Sequence, residues 1–263
     1  MDLGLRGKVA LVAAGSKGLG RAIAEEFAVE GASLVLCARG KDALEETRAS
    51  IAAASGGDVL AIVADVSVPA DVANVVRAGI EKFGRVDIVV TNAGGPPSGT
   101  FDTLTPEMWD EAVRLTLMSA VNFARAVVPG MRKREWGRII NITSIAVKQP
   151  VNGLMLSNSV RSAVTGFART LANEVAPFGI TVNNILPGYT RTDRVDELAG
   201  QIAKREAVSA ATAVGRWEAE IPMGRLGEPR ELAALAAFLA SERASYITGA
   251  SIAVDGGWIK GLL

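Results

Sequence analysis

The chain has 263 residues, 49% hydrophobic and 21% charged, a composition typical of soluble globular proteins. Its 28 Lys and Arg residues balance 28 Asp and Glu, so no basic field exists to draw nucleic acid or anionic lipid. The absence of histidine excludes Ser-His-Asp hydrolysis, most catalytic zinc sites and a histidine proton shuttle, and the single cysteine, Cys37, excludes an internal disulfide.

The apolar run at 9–14 is too short to span a bilayer and leads into a glycine turn, not a cleavage site. The expectation is a cytoplasmic protein acting on small molecules, with no nucleic-acid partner, no membrane segment and no metal. Asn141-Ile142-Thr143 matches a glycosylation sequon, which without a secretory signal reads as chance. Cys37 lies in an apolar run and is expected to pack as a small hydrophobe.

In chain order, residues 8–13 (KVALVA) form a continuous apolar run, the signature of a strand buried on both faces of a parallel sheet. A glycine turn follows, and residues 21–30 place Ile23 and Phe27 at helical spacing before Gly31. Strands are expected at 33–38, 59–64 and 88–91, separated by helices at 41–55 and 69–83, the second with Pro69 near its first turn. A Gly/Pro-rich loop at 94–99 leads to one long helix over 106–134, capped by Thr105.

Further strands are expected at 138–142, 181–186 and 251–254, with helices at 158–176 and 228–240. The polar, alanine-rich stretch 190–223 lacks a strand signal and reads as two helical pieces. Strands alternating with helices of this length predict an α/β fold, a single-domain doubly wound parallel sheet of about seven strands, Rossmann-type, with helices on both faces.

Ligands of such sheets bind beyond the carboxyl ends of the strands, so the turn after the first strand is the place to look. There Gly15-Ser16-Lys17-Gly18-Leu19-Gly20 precedes a helix whose N-terminus favours negative charge, and glycines let backbone approach a pyrophosphate. The spacing resembles the glycine turn of short-chain dehydrogenases/reductases, with Ala14 standing for the first glycine. Gly15 is then expected to take over the flexible position.

The resemblance extends along essentially the whole chain. Asp65-Val66 follows the third strand, where the family's Asp bonds adenine. Asn92-Ala93-Gly94 closes the fourth, like the family segment that braces the central sheet. Pro187-Gly188, followed by Thr190, stands at the nicotinamide side, and Tyr246-Ile247-Thr248-Gly249 with Val254-Asp255-Gly256-Gly257 matches the closing segment.

Cofactor choice follows from charge. NAD(H) selection needs a carboxylate at the end of the second strand, whereas this chain has Cys37-Ala38-Arg39 and no acid before Asp42. Arg39, joined by Lys17, suits a 2′-phosphate, so NADP(H) is expected over NAD(H).

The resemblance also implies a Ser that positions the substrate oxygen, a Tyr that moves its proton, and a Lys that lowers the Tyr pKa and holds the nicotinamide ribose. An Asn on the preceding long helix steadies a water relay. Ser144 fits the first role. Thirteen positions on stands Ser157, and four after that Arg161, so both the Tyr and the Lys are replaced; Thr116 stands at the Asn position. Neither of the two tyrosines, Tyr189 and Tyr246, lies in the catalytic segment.

A serine hydroxyl is a far poorer acid than a phenol, and an arginine stays protonated. Arg161 can still hold ribose hydroxyls and set positive charge beside a developing alkoxide. Lys148 in the loop after Ser144 is one candidate proton donor, a bound water another.

The expectation is an NADP(H)-dependent oxidoreductase acting on a small carbonyl or alcohol, resembling 3-oxoacyl carrier-protein reductases. The alternative is a non-catalytic NADP(H)-binding sensor or partner subunit. By resemblance, residues 190–223 form a substrate lid, in which Trp217 either meets substrate or packs, and subunits join as a homotetramer or homodimer.

Overall fold

The computed structural model describes residues 2–262 and contains one seven-stranded parallel sheet in the order β3-β2-β1-β4-β5-β6-β7. The strands are β1 (Val9–Ala13), β2 (Ser33–Ala38), β3 (Val59–Val63), β4 (Ile88–Thr91), β5 (Gly137–Ile142), β6 (Ile180–Pro187) and β7 (Ser251–Val254). Order reverses between β1 and β4, and that switch point opens the crevice at the carboxyl edge.

Continuous apolar runs become central strands because both faces are covered. All five residues of β1 are buried: Ala10 and Val12 face α1 (Gly18–Val29), α2 (Lys41–Ser55) and α9 (Pro229–Ala240). Val9, Leu11 and Ala13 belong to the opposite layer, with α3 (Pro69–Phe83), α5 (Ser119–Lys133) and α6 (Met155–Val175). Cys37 is buried in that second layer, and burial pushes its thiol up to about 12, so it packs as an inert hydrophobe.

The expected single helix over 106–134 is three pieces. α4 (Pro106–Ala112) gives way to a π-helical turn, Val113–Met118, before α5 begins. Ser119 Oγ donates to the Leu115 carbonyl at 2.6 Å and the Thr116 carbonyl at 3.2 Å inside the widened turn. α6 begins at Met155, earlier than its periodicity suggests, and so takes Ser157 into its first turn. Residues 190–223 fold as α7 (Asp193–Glu206) and α8 (Ala210–Glu220), the two helical pieces expected, around a separate small core that includes Val195, Ala199, Trp217 and Trp258. Among the described residues no helix is long and apolar enough to cross a membrane.

A line of buried polar side chains crosses β4 to β7. Thr91 Oγ1 donates to Asn141 Oδ1 at 2.7 Å, Asn141 Nδ2 to Asn184 Oδ1 at 3.0 Å, and Asn184 Nδ2 to Ser251 Oγ at 3.0 Å. Each pair is also a register pair of adjacent strands. Asn141, in the sequon, is 1% exposed and occupied by this network.

Asn141→Ala leaves the Thr91 hydroxyl and Asn184 Oδ1 without these partners in a closed interior, so it is expected to cost about 2–4 kcal/mol. The Asn141→Ala, Asn184→Ala pair is expected to cost about 1 kcal/mol less than the sum of the single changes. Urea unfolding of the three variants measures both quantities.

Candidate active site

The glycine turn joins β1 to the N-terminus of α1, and its backbone differs from the sequence expectation. Ala14 itself holds the left-handed conformation, at φ 49°, and Gly15 does not. Gly15 is required for space instead: a Cβ there would meet the Val12 carbonyl at 3.1 Å and Leu36 at 3.3 Å. A Cβ on Gly20 would run into the Ala14 carbonyl and crowd Asn92. Gly18 is left-handed, at φ 52°, and faces the Thr192 methyl. Backbone can therefore approach a phosphate here as no larger residue would permit.

From this turn a single cleft of about 790 Å³ runs along the carboxyl edge of the sheet. At one end it is lined by Ser16, Lys17, Gly18 and Leu19, by Arg39 beyond β2, and by Asp65 and Val66 beyond β3. Asn92, Ala93 and Gly94 form its floor beyond β4, and Pro187, Gly188 and Thr190 enter from β6. Gly15 and Gly20 support the turn from behind.

Asp65 Oδ1 accepts from Ser67 N at 2.9 Å and Ser67 Oγ at 2.7 Å. Partial burial alone would raise its pKa, but these bonds and the charge of Arg39 outweigh it and hold the carboxyl below its ordinary value. Lys17 lies 3.6 Å from Asp193 on α7, so a phosphate has to compete with that carboxylate for its ammonium.

At the other end Ser144, Ser157 and Arg161 line the same cleft. Ser144 Oγ accepts from Ala146 N at 3.1 Å, which leaves its hydroxyl proton free to donate outward. Ser157 is 9% exposed in the first turn of α6, and Arg161 follows one turn later on the same face.

Arg161 Nη1 donates to the Ile142 carbonyl at 3.0 Å and the Thr143 carbonyl at 2.6 Å, tying α6 to the end of β5. Among the described residues its Nε and Nη2 have no protein acceptor. Burial, with the like charge of Arg194, pushes the guanidinium down to about 10, still protonated at neutral pH.

Two expected residues stand apart from the cleft. Lys148 is exposed at the end of a short 3-10 turn, outside the lining, because that turn points its side chain to solvent. Thr116 is 8% exposed in the π turn, and its Oγ1 has no hydrogen-bond partner. It borders a space of about 10 Å³ shared with Thr91, Asn92, Ser119 and Arg161, behind the cleft rather than in it. Trp217 packs: it is 8% exposed and stacks on Tyr189 at 4.6 Å between ring centroids.

The cleft also contains residues that sequence reasoning missed. Tyr189 lines it, though its phenol is pushed up to about 12, first by burial and then by Glu220. Thr192 covers Gly18, while Val151 and Leu154 form part of an apolar wall. Arg194, in the first turn of α7, donates from Nη2 to the Pro96 carbonyl at 3.1 Å across the mouth. Its one sequence signal is a base at a helix N-terminus, where the dipole disfavours it.

Comparison with known proteins agrees with this geometry. A family model described as enoyl-(acyl carrier protein) reductase matches residues 13–259. The 3-oxoacyl-[acyl-carrier-protein] reductase of Vibrio cholerae is 36% identical over 255 residues, 97% of this chain and 98% of that protein. The L-sorbose reductase of Gluconobacter frateurii, solved with NADPH and L-sorbose, superposes with a TM-score of 0.95 at 40% identity, covering 100% of both chains. An actinorhodin polyketide ketoreductase, solved with NADPH, gives 0.93 at 32% identity over 97% of this chain and 98% of that one. With its parallel sheet, glycine turn and retained serine, the chain belongs to the short-chain dehydrogenase/reductase family of oxidoreductases.

Proposed function

We propose that the protein is an NADP(H)-dependent oxidoreductase that reduces a carbonyl, a 3-oxoacyl group or similar ketone, to a secondary alcohol. The observation that carries this reading is continuity: one cleft joins the glycine turn and Arg39 to Ser144, Ser157 and Arg161. The relatives' NADPH complexes and reductase names support the same reaction class. The turn fits a dinucleotide, because Gly15 and Gly20 let it fold tightly behind Ser16 to Leu19, which line the cleft at the N-terminus of α1.

Gly15 to Gly20 would take the pyrophosphate, Asp65 and Val66 the adenine side, and Asn92 to Gly94 with Pro187, Gly188 and Thr190 the nicotinamide side. Arg39 lies exposed at the end of β2 with no acid beside it in sequence, a position suited to a 2′-phosphate. When bound, the cofactor supplies the hydride. Ser144 donates its free hydroxyl proton as a hydrogen bond to the substrate oxygen, and Ser157 offers a second hydroxyl. Arg161 places positive charge beside the oxygen as negative charge develops there, through the nitrogens not bound to β5. Water delivers the proton that completes the alcohol.

A second reading, a non-catalytic NADP(H)-binding sensor or partner subunit, is favoured by two observations. The cleft's phenol, Tyr189, is pushed away from neutral pH, and Lys148 is absent from the lining. In either case we propose a cytoplasmic homotetramer or homodimer, with residues 190–223 acting as a lid.

NADPH oxidation against a panel of 3-oxoacyl esters and diketones decides between the two readings. Turnover above background is expected, whereas cofactor binding with no turnover of any carbonyl sinks the reductase reading.

Arg39→Ala is expected to raise the Kd for NADPH about 10-fold, through loss of a charge-assisted phosphate contact, and to leave NADH within about 2-fold. Equal effects on both cofactors, measured by fluorescence titration, would remove Arg39 from the phosphate site.

The Ser157→Tyr, Arg161→Lys double change restores a phenol and an amine at helical spacing. It is expected to raise kcat by roughly 10²-fold, the scale of a positioned general acid. No gain in a folded variant would refute the assignment of these positions.

A further inference from the structure

The substrate end of the cleft holds an excess of positive charge. Arg161 has no carboxylate partner among the described residues, and its protonated form is disfavoured first by burial and then by the like charge of Arg194. Arg194 has only Glu197, 3.5 Å away along its own helix and 64% exposed, an ion pair that water and salt screen. Lys17 and Asp193 neutralise one another nearer the glycine turn. Two guanidinium groups therefore face one cleft, and Arg194 alone of the two has an acid partner, the exposed Glu197.

Arg194 is also held in place. Its Nη2 donates to the Pro96 carbonyl, and the guanidinium lies over Gly95, where a Cβ would come 3.3 Å from Nε. A larger residue at 95 would displace it. A guanidinium fixed by one bond, with donors to spare, is suited to planar recognition of a carboxylate. Beside it the cleft is apolar, lined by Val151, Leu154 and Leu198.

We propose that Arg194 is a specificity-determining residue that binds a carboxylate on the substrate, so that the preferred substrates are oxo acids with a short aliphatic segment. This rests on the reductase reading of the same cleft. The ketone carbon gains the hydride and its oxygen the proton, while the carboxylate remains unchanged and serves only as a handle. Like-charge repulsion between Arg161 and Arg194 is relieved when that anion enters. The cofactor pyrophosphate is the other anion that could reach Arg194, and the test separates the two.

Steady-state reduction of acetoacetate and 4-oxopentanoate is compared with that of their methyl esters, for the wild type, Arg194→Gln and Arg194→Lys. The wild type is expected to prefer the acids by about 10- to 100-fold in kcat/KM, the range of a charge-assisted contact. Arg194→Gln is expected to lower the acid values at least about 10-fold more than the ester values, with partial recovery in Arg194→Lys. Calorimetric titration of the NADP⁺-saturated protein with 4-oxopentanoate gives an independent readout, and the same change should weaken that binding.

Equal rates for acids and esters would overturn the inference and leave the reductase reading standing. So would an Arg194→Gln effect that falls equally on both, or on NADPH affinity alone, which would make Arg194 a latch or a pyrophosphate ligand. If no carbonyl is reduced, the reductase reading falls. Arg194-dependent binding of 4-oxopentanoate would then preserve the carboxylate site, and no binding would remove it.

Discussion

Thr91, Asn141, Asn184 and Ser251 form one hydrogen-bonded line across four strands, and the cleft depends on it. Each member is buried or half-buried and lies opposite its partner in register. A slip of one residue would turn that polar side chain to the other face, breaking two links for β5 or β6 and one for β4 or β7. The functional residues follow at fixed offsets: Asn92 directly after Thr91, Ser144 three residues after Asn141, and Pro187 three after Asn184. Apolar packing alone would tolerate small shifts among the many Val and Ile side chains; a polar line in a dry interior does not.

Arg161 applies a second constraint to the same place. An ammonium is a compact point charge on a flexible stem, whereas a guanidinium is a planar fork with donors in fixed directions. Here one nitrogen of the fork takes both carbonyls at the end of β5, the residues immediately before Ser144. The exchange at this position changes the group's task. It holds the strand end against the helix and keeps a permanent charge near the oxygen site, but it cannot pass a proton on. In the proposed reaction, Arg161 and the neighbouring Ser157 hydroxyl supply orientation and charge stabilisation.

Much of this was legible in the sequence, for identifiable reasons. Strands buried on both faces show as unbroken apolar runs, so β1, β2 and β4 lie within one residue of their expected bounds. Ser144, Ser157 and Arg161 line one cleft because helical spacing and strand ends are local properties of the chain. The π turn at Val113–Met118 was not legible, since one added residue barely disturbs helical periodicity over so short a run. Nor was the left-handed Ala14, whose conformation is imposed by the close approach of Gly20 to its carbonyl. Lys148 was a wrong candidate because sequence proximity to Ser144 says nothing about which way a 3-10 turn faces. Arg194 was invisible because its partners, Gly95 and Pro96, lie about a hundred residues away.

Residues 190–223 connect to the rest in two different ways. At the far side, Trp217, Trp258, Ile221 and Leu226 pack into an apolar core, with Ile145 from the Ser144 loop as a member. α7 shares that core through Val195 and Ala199, and at the cleft it adds polar contacts: Lys17 to Asp193, Arg194 to the Pro96 carbonyl, and Ser98 Oγ to Gln201 Oε1 at 3.0 Å. Exposed contacts of this kind exchange with water at little net cost, whereas separating the aromatic core exposes large apolar area. The position of α7 therefore rests mainly on Val195 and Ala199, and the polar contacts at the mouth set which side chains face the cleft. Ile145 belongs to the same core, so the loop carrying Ser144 is packed against the segment that carries Arg194.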